Sequence, residues 1–212
     1  MSEALEEVPK LNILLAATGS VATVKVPVLV DEILSKGHRV KVVLSETACH
    51  FVSRDQIVED FDRKRSDGLL SAETCRSFDP RAHVYLEEDE WKTWTKMGDP
   101  VLHIALGKWA DVLIIAPLSA NTMAKFANGL CDNLITSVVR AWDYSKPIVC
   151  APAMNTRMWL HPVTRQHIDV LKQRDRMIFV DPVVKTLACK DVGVGAMAPP
   201  KDIVQKALAS LM

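Results

Sequence analysis

The sequence predicts a single doubly wound α/β domain over residues 1–212, with a mostly parallel sheet and helices on both faces. Three observations predict it. The candidate strands are apolar throughout rather than alternating, as strands covered on both faces are. They alternate with stretches of helical spacing, which calls for right-handed crossovers. Four of them end in short tips, three of these carrying small and hydroxyl residues, where ligands collect in such folds.

The elements follow in order. "KLNILLAATGS" (10–20) is a β-rich run that stops at Thr18-Gly19-Ser20. "VATVKVPVLVDEILSKG" (21–37) has near-helical apolar spacing and closes on Gly37, a helix stop signal. "HRVKVVLSET" (38–47) is a Val-rich second strand and "ADVLIIAPLSA" (110–120) a third. The helical "NTMAKFANGLCDNLITSVVRAW" (121–142) follows. "KPIVCAPAM" (146–154) and "RMIFVDPVV" (176–184) are the fourth and fifth strands. The end, "PKDIVQKALASLM", reads as a helix with Pro at its start. The charged stretch 54–89 shows little periodicity and reads as a long, partly mobile surface segment. The whole pattern is flavodoxin-like or Rossmann-like.

Composition narrows the function. At 212 residues and 49% apolar content the chain buries a proper core without staples. Lys plus Arg equals Asp plus Glu at 26 each, which argues against nucleic acid or an anionic membrane as the main partner. No run of about 18 apolar residues occurs, so no membrane span is expected. The acidic start "MSEALEEVPK" is neither a secretory signal nor a mitochondrial presequence. Five widely spaced cysteines without a CxxC pair fit a reduced cytoplasmic protein, with no disulfide framework and no metal site.

The tips carry the chemistry. Gly19-Ser20, Ser45 with Thr47, and Ser119 with Asn121-Thr122 each stand just before a helix. Backbone N–H groups there favour an anion, and hydroxyls add donors. "TGSVAT" has one glycine and is no dinucleotide fingerprint, so a mononucleotide such as FMN fits better. The plainer alternative is that these residues are N-caps and turn formers. His103 lies among apolar residues, where a histidine is structural or catalytic. Cys189, in "LACKDVGVGAM" beside Lys190, is either a reachable thiol of lowered pKa or an ordinary buried one.

"ATGSVA", "DPVLHIALGKWADVLIIAPLSANT", "GLCDNLITSVVRAWD", "PAMNTRMW" and "LACKDVGVGAMA" together resemble the phosphopantothenoylcysteine decarboxylases of coenzyme A biosynthesis. These belong to the homo-oligomeric flavin-containing Cys decarboxylases. The resemblance covers about residues 10–210, apart from the charged segment near 54–85. It implies FMN bound between the subunits of a homotrimer and lined by Gly19, Ser20, Val21, Ser45, Thr47, Ser119, Ala120, Asn121, Thr122 and Ala153. It implies His103, Asn155 and Cys189 as catalytic residues, with Cys189 the proton donor. Asn155, Ala188, Met197 and Lys108 are implied at the substrate, with Met197 in a flap over it. The small Ala153 would leave room for the flavin ring, and Asn155 would face the substrate rather than cap a helix.

The implied reaction suits these residue types. Flavin oxidation of the cysteinyl C–S unit to a thioaldehyde provides the electron sink that a saturated carbon lacks. Carbon dioxide then leaves an enethiolate, which a returned hydride and a proton from Cys189 reduce to the thiol.

Some positions depart from the family's pattern. Gly107-Lys108 stand before Trp109 where an Arg pair is usual, Lys190 replaces a glycine after the cysteine, and Thr186 replaces a basic residue. Lys keeps the charge but loses the bidentate guanidinium fork. Two other functions compete with the enzyme. Some relatives inhibit a protein phosphatase, but they often carry long acidic tails and some lack the cysteine, whereas this sequence has Cys189 and ends without such a tail. A flavin prenyltransferase or peptidyl-cysteine decarboxylase fits the "LACKDVGVGAM" segment less well.

Overall fold

The computed structural model describes residues 9–173, 177–186 and 192–211. Among these, six strands form one parallel sheet: β1 (Asn12–Ala17), β2 (Arg39–Leu44), β3 (Val84–Tyr85), β4 (Val112–Leu118), β5 (Ile148–Pro152) and β6 (Met177–Phe179). Their order is β3-β2-β1-β4-β5-β6. The order reverses direction between β1 and β4, so the crevice at that switch point lies outside the carboxyl ends of these two strands.

The predicted double cover is present. One face of the sheet packs on α1 (Val26–Ser35), α2 (Arg54–Ser66) and α11 (Pro200–Ala209) through residues such as Leu29, Ile33, Ile57, Ile203 and Val204. The other packs on α6 (Leu102–Trp109), α7 (Ala120–Asn128), α8 (Leu134–Arg140) and α10 (Pro162–Lys172) through Leu106, Phe126, Val138 and Leu171. β1 shows why its sequence is apolar throughout. Ile13, Leu15 and Ala17 enter the first core, Leu14 and Ala16 the second, as the two-residue strand period requires.

Three stretches differ from the sequence reading. The helix expected over 121–142 is two helices, because Gly129 adopts φ +72° and ends α7 with its N–H on the Lys125 and Phe126 carbonyls. "RMIFVDPVV" divides between β6 and β7 (Val183–Thr186), which pairs antiparallel with β8 (Val192–Ala196) as a separate hairpin.

The third is the charged stretch, which forms α2, α3 (Ala72–Ser77), α4 (Pro80–His83), β3 and α5 (Glu87–Lys92). Its apolar residues are sparse but placed. Ile57, Phe61, Phe78 and Val84 are buried, and Phe61 meets Phe78 edge to face at 5.4 Å. Each such side chain contributes about 1.5–3 kcal/mol by leaving water. Its charges work at helix ends. Ser53 and Gln56 form a capping box on α2, and Glu87 Oε2 accepts from the Leu134 N–H at the start of α8 at 2.7 Å.

Candidate functional site

Hydroxyls hold the tips of β1 and β4 together. Thr18 Oγ1 donates to the Pro117 carbonyl at 2.9 Å and accepts from the Ser119 N–H at 2.8 Å. Thr18 is buried, and its own carbonyl accepts from Thr23 Oγ1 at 2.9 Å. The Thr18 side chain therefore ties together both strands bordering the switch point, and its backbone carbonyl holds the turn after Ser20 through Thr23.

The predicted tip serines are all caps. Ser20 Oγ accepts from the Ala22 N–H at 3.3 Å, Ser45 Oγ from Ala48 at 3.1 Å and Ser119 Oγ from Thr122 at 3.2 Å. Thr47 Oγ1 lies 3.1 Å from Ser45 Oγ. A cap uses only an oxygen lone pair, which leaves the hydroxyl proton of Ser20 for a ligand, while Ser119 Oγ also donates to Thr122 Oγ1 at 3.1 Å. Gly19 shows how closely the tips of β1 and β2 approach. A Cβ on it would stand 2.5 Å from Thr47 Oγ1 and 2.7 Å from Thr47 Cβ. The tips thus form a rim of hydroxyls and backbone amides without bulk at its centre. That donor set suits a phosphate-bearing planar cofactor such as FMN.

A cavity of about 370 Å³ opens beside this rim. Ser20, Val21, Lys25, Ala153, Asn155, Lys185, Thr186 and Met197 are among its lining residues. It thereby brings together the predicted Ser20, Val21, Ala153, Asn155 and Met197. Ala153 and Met197 are buried, and the Ala153 N–H donates to the Leu118 carbonyl at 3.0 Å. The β7–β8 hairpin closes one side. Gly195 accepts from the Met154 N–H at 3.0 Å and has φ +142°. Any Cβ there would collide with the Met154 carbonyl oxygen, so only glycine lets the hairpin lie this close. Ala188, Cys189 and Lys190 fall between β7 and β8, outside the described residues.

Asn155 corrects one expectation. Its Oδ1 accepts from the Arg157 N–H at 2.8 Å and caps α9 (Thr156–Trp159). The side chain lines the cavity while it caps, because a cap fixes the amide at the helix entrance.

Ser45, Thr47, Ser119, Ala120, Asn121 and Thr122 do not line this cavity, and neither do His103 and Lys108. His103 stands at the second position of α6, partly exposed. Lys108 lies five residues on, which turns it about 140° away around the helix and about 7.5 Å along it.

Sequence reasoning missed the partner of His103. Glu90 Oε1 sits 2.6 Å from His103 Nδ1, and Oε2 accepts from the His103 N–H at 3.1 Å. One carboxylate thus caps α6 and orients the imidazole, holding Nδ1 as the protonated nitrogen. The only signal was the acidic run "EEDE" within the charged stretch. Thr18 was visible only as the residue where β1 stops.

The four described cysteines are unpaired. Cys150 is buried in β5, and burial pushes its thiol up to about 12. It is an inert core residue at neutral pH.

The sequence profile of the Flavoprotein family matches residues 1–212. The chain belongs to this family. A probable phosphopantothenoylcysteine decarboxylase of Arabidopsis thaliana is 47% identical over 191 residues, covering 90% of this flavoprotein and 84% of the relative. The phosphopantothenoylcysteine decarboxylase of Mus musculus is 42% identical, covering 95% and 88%. Among solved structures, a Cys-to-Ser mutant of PPC decarboxylase complexed with pantothenoylaminoethenethiol superposes with a TM-score of 0.79 at 42% identity, covering 95% and 98% of the two chains. The FMN binding protein AtHal3 gives 0.75 at 43% identity, covering 95% and 96%.

Proposed function

We propose that this flavoprotein is an FMN-dependent phosphopantothenoylcysteine decarboxylase, a carboxy-lyase that converts 4'-phosphopantothenoylcysteine to 4'-phosphopantetheine in coenzyme A biosynthesis. One observation carries the reading. The cavity beside the sheet's switch point gathers Ser20, Val21, Ala153, Asn155 and Met197 from three separate segments, in a chain close to relatives that bear this name.

The hydroxyls of Ser20, Ser45, Thr47 and Ser119 and the amides around Gly19 and Ala153 would hold FMN, with Val21, Ala120, Asn121 and Thr122 beside them. The flavin, when bound, supplies reversible two-electron chemistry that makes the cysteinyl carbon able to release carbon dioxide. The remaining work belongs to side chains. Asn155, fixed by its cap, presents an amide to the substrate's carboxylate end without adding a like charge. His103, held through Nδ1 by Glu90, presents Nε2 to the substrate. Cys189 gives the final proton to carbon. Met197, buried in the cavity wall, excludes water, and Ala188 and Lys108 complete the substrate contacts.

The protein acts as a homotrimer in the cytoplasm, with FMN between subunits. Two features support the assembly. His103 and the Ser45, Thr47 and Ser119 tips do not line the cavity that Asn155 lines, so a neighbouring subunit would complete the site. Val21 and Val24, which line that cavity, expose about half of their surface, and Val28 and Leu160 are also exposed, as residues covered on assembly are. No helix among the described residues is long and apolar enough to cross a membrane.

Purified yellow protein supplied with 4'-phosphopantothenoylcysteine should release one carbon dioxide per phosphopantetheine formed, with no net consumption of an oxidant. Protein that binds FMN but forms no phosphopantetheine would refute the reading.

A further inference from the structure

α5 has no apolar anchor. It runs for six residues, Glu87–Lys92, and buries none of them. Isolated helices shorter than about 12–15 residues are marginal in water. Just before it, Leu86 packs partly on the core. The hold of α5 on the rest of the molecule comes mainly from its acids, which clasp different elements. Glu87 Oε2 accepts from the Leu134 N–H at the start of α8 at 2.7 Å. Asp89 Oδ2 accepts from the Leu86 N–H at 2.7 Å and pairs with Nη2 of Arg54 in α2. Glu90 holds the N–H and Nδ1 of His103 at the start of α6. The orientation of His103 is therefore only as firm as the placement of α5.

Arg54 is an unexpected partner in this set. It is the first residue of α2, where a cation opposes the helix dipole. Its Nε is buried and finds no acceptor among the described residues, and such an unmade donor subtracts from stability. Local helix energetics therefore do not account for an arginine at this position, whereas the pair with Asp89 does. The two side chains are 26% and 18% exposed, against 53% and 58% for Lys10 and Glu73, so solvent and salt screen the pair less. α2 is itself seated on the core through Ile57 and Phe61. Arg54 thereby joins α5 to the core.

We propose that Arg54 is a positioning residue for the decarboxylation: by holding Asp89 it keeps Glu90 in place and so orients His103. The inference rests on the reading of His103 as a group that meets the substrate, and it extends that role to the charged stretch. Asp89 and Glu90 are neighbours in one helical turn and move together, so a loosened Asp89 is a loosened Glu90. Arg54 acts through α5 and touches none of the reacting atoms.

The test is a mutant cycle on the holoprotein, with Arg54→Met, with Glu90→Gln and with both. Arg54→Met should lower kcat about fivefold, as a slightly displaced group does, with KM within about twofold. Nitrogen NMR should show the single Nδ1–H tautomer of His103 giving way to a mixture, although His103 and Glu90 are both intact. In the Glu90→Gln background Arg54→Met should change kcat by less than about twofold, because its route is already cut. Arg54→Lys, which keeps the charge, should recover most of kcat and the tautomer. Losses that multiply in the double variant would overturn the proposal, as would an unchanged kcat or an unchanged tautomer in Arg54→Met. A merely structural arginine would lower Tm and leave both unmoved. Should Arg54→Met fail to fold, Asp89→Asn reads the same outcomes, since its amide oxygen still accepts from the Leu86 N–H. If the native protein forms no phosphopantetheine, the decarboxylase reading fails and the tautomer alone decides. A mixture in Arg54→Met then supports the positioning role, and a single Nδ1–H form overturns it.

Discussion

Two cavities lie at opposite ends of the sheet, and they differ in kind. The larger, about 1010 Å³, opens where β1 and β2 begin and is lined by Lys10, Asp31, His38, Arg39, Lys64 and Glu73, among others. The smaller, about 370 Å³, opens where β1 and β5 end, beside the β7–β8 hairpin. In the larger one Lys10 and Lys64 are already matched with acids inside the chain, and surface pairs of this sort contribute at most about 1 kcal/mol each. In the smaller, two lysines stand without acids among the described residues, an amide is fixed by a cap, and the chain around it is packed so closely that a Cβ at Gly19, Gly193 or Gly195 would collide. Size therefore does not mark the site. Unbalanced charge and tightly fixed backbone do, because folding alone gains nothing from either.

The largest separation between the two ends comes from the proposed proton donor. Cys189→Ser should lower steady-state turnover by at least about 100-fold, the usual worth of a positioned acid, while FMN absorbance stays. Turnover within a few-fold of native would remove Cys189 from the mechanism.

Glu90→Gln comes next. Its amide offers one oxygen to two donors, the His103 N–H and Nδ1–H, which Glu90 now satisfies together. Turnover should fall about tenfold, and nitrogen NMR of His103 should show loss of the single Nδ1–H tautomer. An unchanged tautomer would mean that Glu90 only caps α6.

The glycines sharpen the comparison within the backbone. Gly195→Ala forces a Cβ into the Met154 carbonyl at a φ of +142° and should cost about 2–4 kcal/mol, read as a drop in Tm. Gly37→Ala, at φ +80° beside the larger cavity, meets nothing within 4 Å and should cost only about 1 kcal/mol. Equal costs would deny that the rim is the more closely built end.

The smallest effect belongs to the larger cavity. Burial, and then Lys36, pushes the His38 pKa below its ordinary 6.5, and its Nδ1 lies 3.4 Å from the Leu11 N–H, which it accepts. Because the folded value is depressed, the stabilisation is complete above 6.5 and is lost as pH falls through the folded value. His38→Asn should flatten this acid-side loss in denaturant titrations without changing turnover at neutral pH. A changed turnover would bring the larger cavity into the function.

The legible part of this molecule was its apolar strands and their tips. The unbroken run "VLIIAPL" reads as a strand covered on both faces, and the small and hydroxyl residues at three strand ends pointed to the carboxyl end of the sheet. The charged stretch was not legible, because its helices bury so few residues that no period shows. Ile57, Phe61 and Phe78 reach the core while the acids around them cap helices far along the chain. Glu90 and His103 are 13 residues apart with a turn between them, and no local pattern records such a pair. Lys25 and Lys185 are 160 positions apart in sequence and meet only because the hairpin folds onto the tip of β5. The cap made by Asn155 was not legible, since a cap and a substrate-facing amide use the same residue type at a helix entrance.

The most direct test of the account is hydrogen–deuterium exchange on the holoprotein before and after adding 4'-phosphopantetheine. The account predicts new protection in the backbone of residues 19–25, 153–157 and 192–197, with none at 36–39 or 64–77. Protection around His38 and Lys64 with none at the strand tips would contradict it.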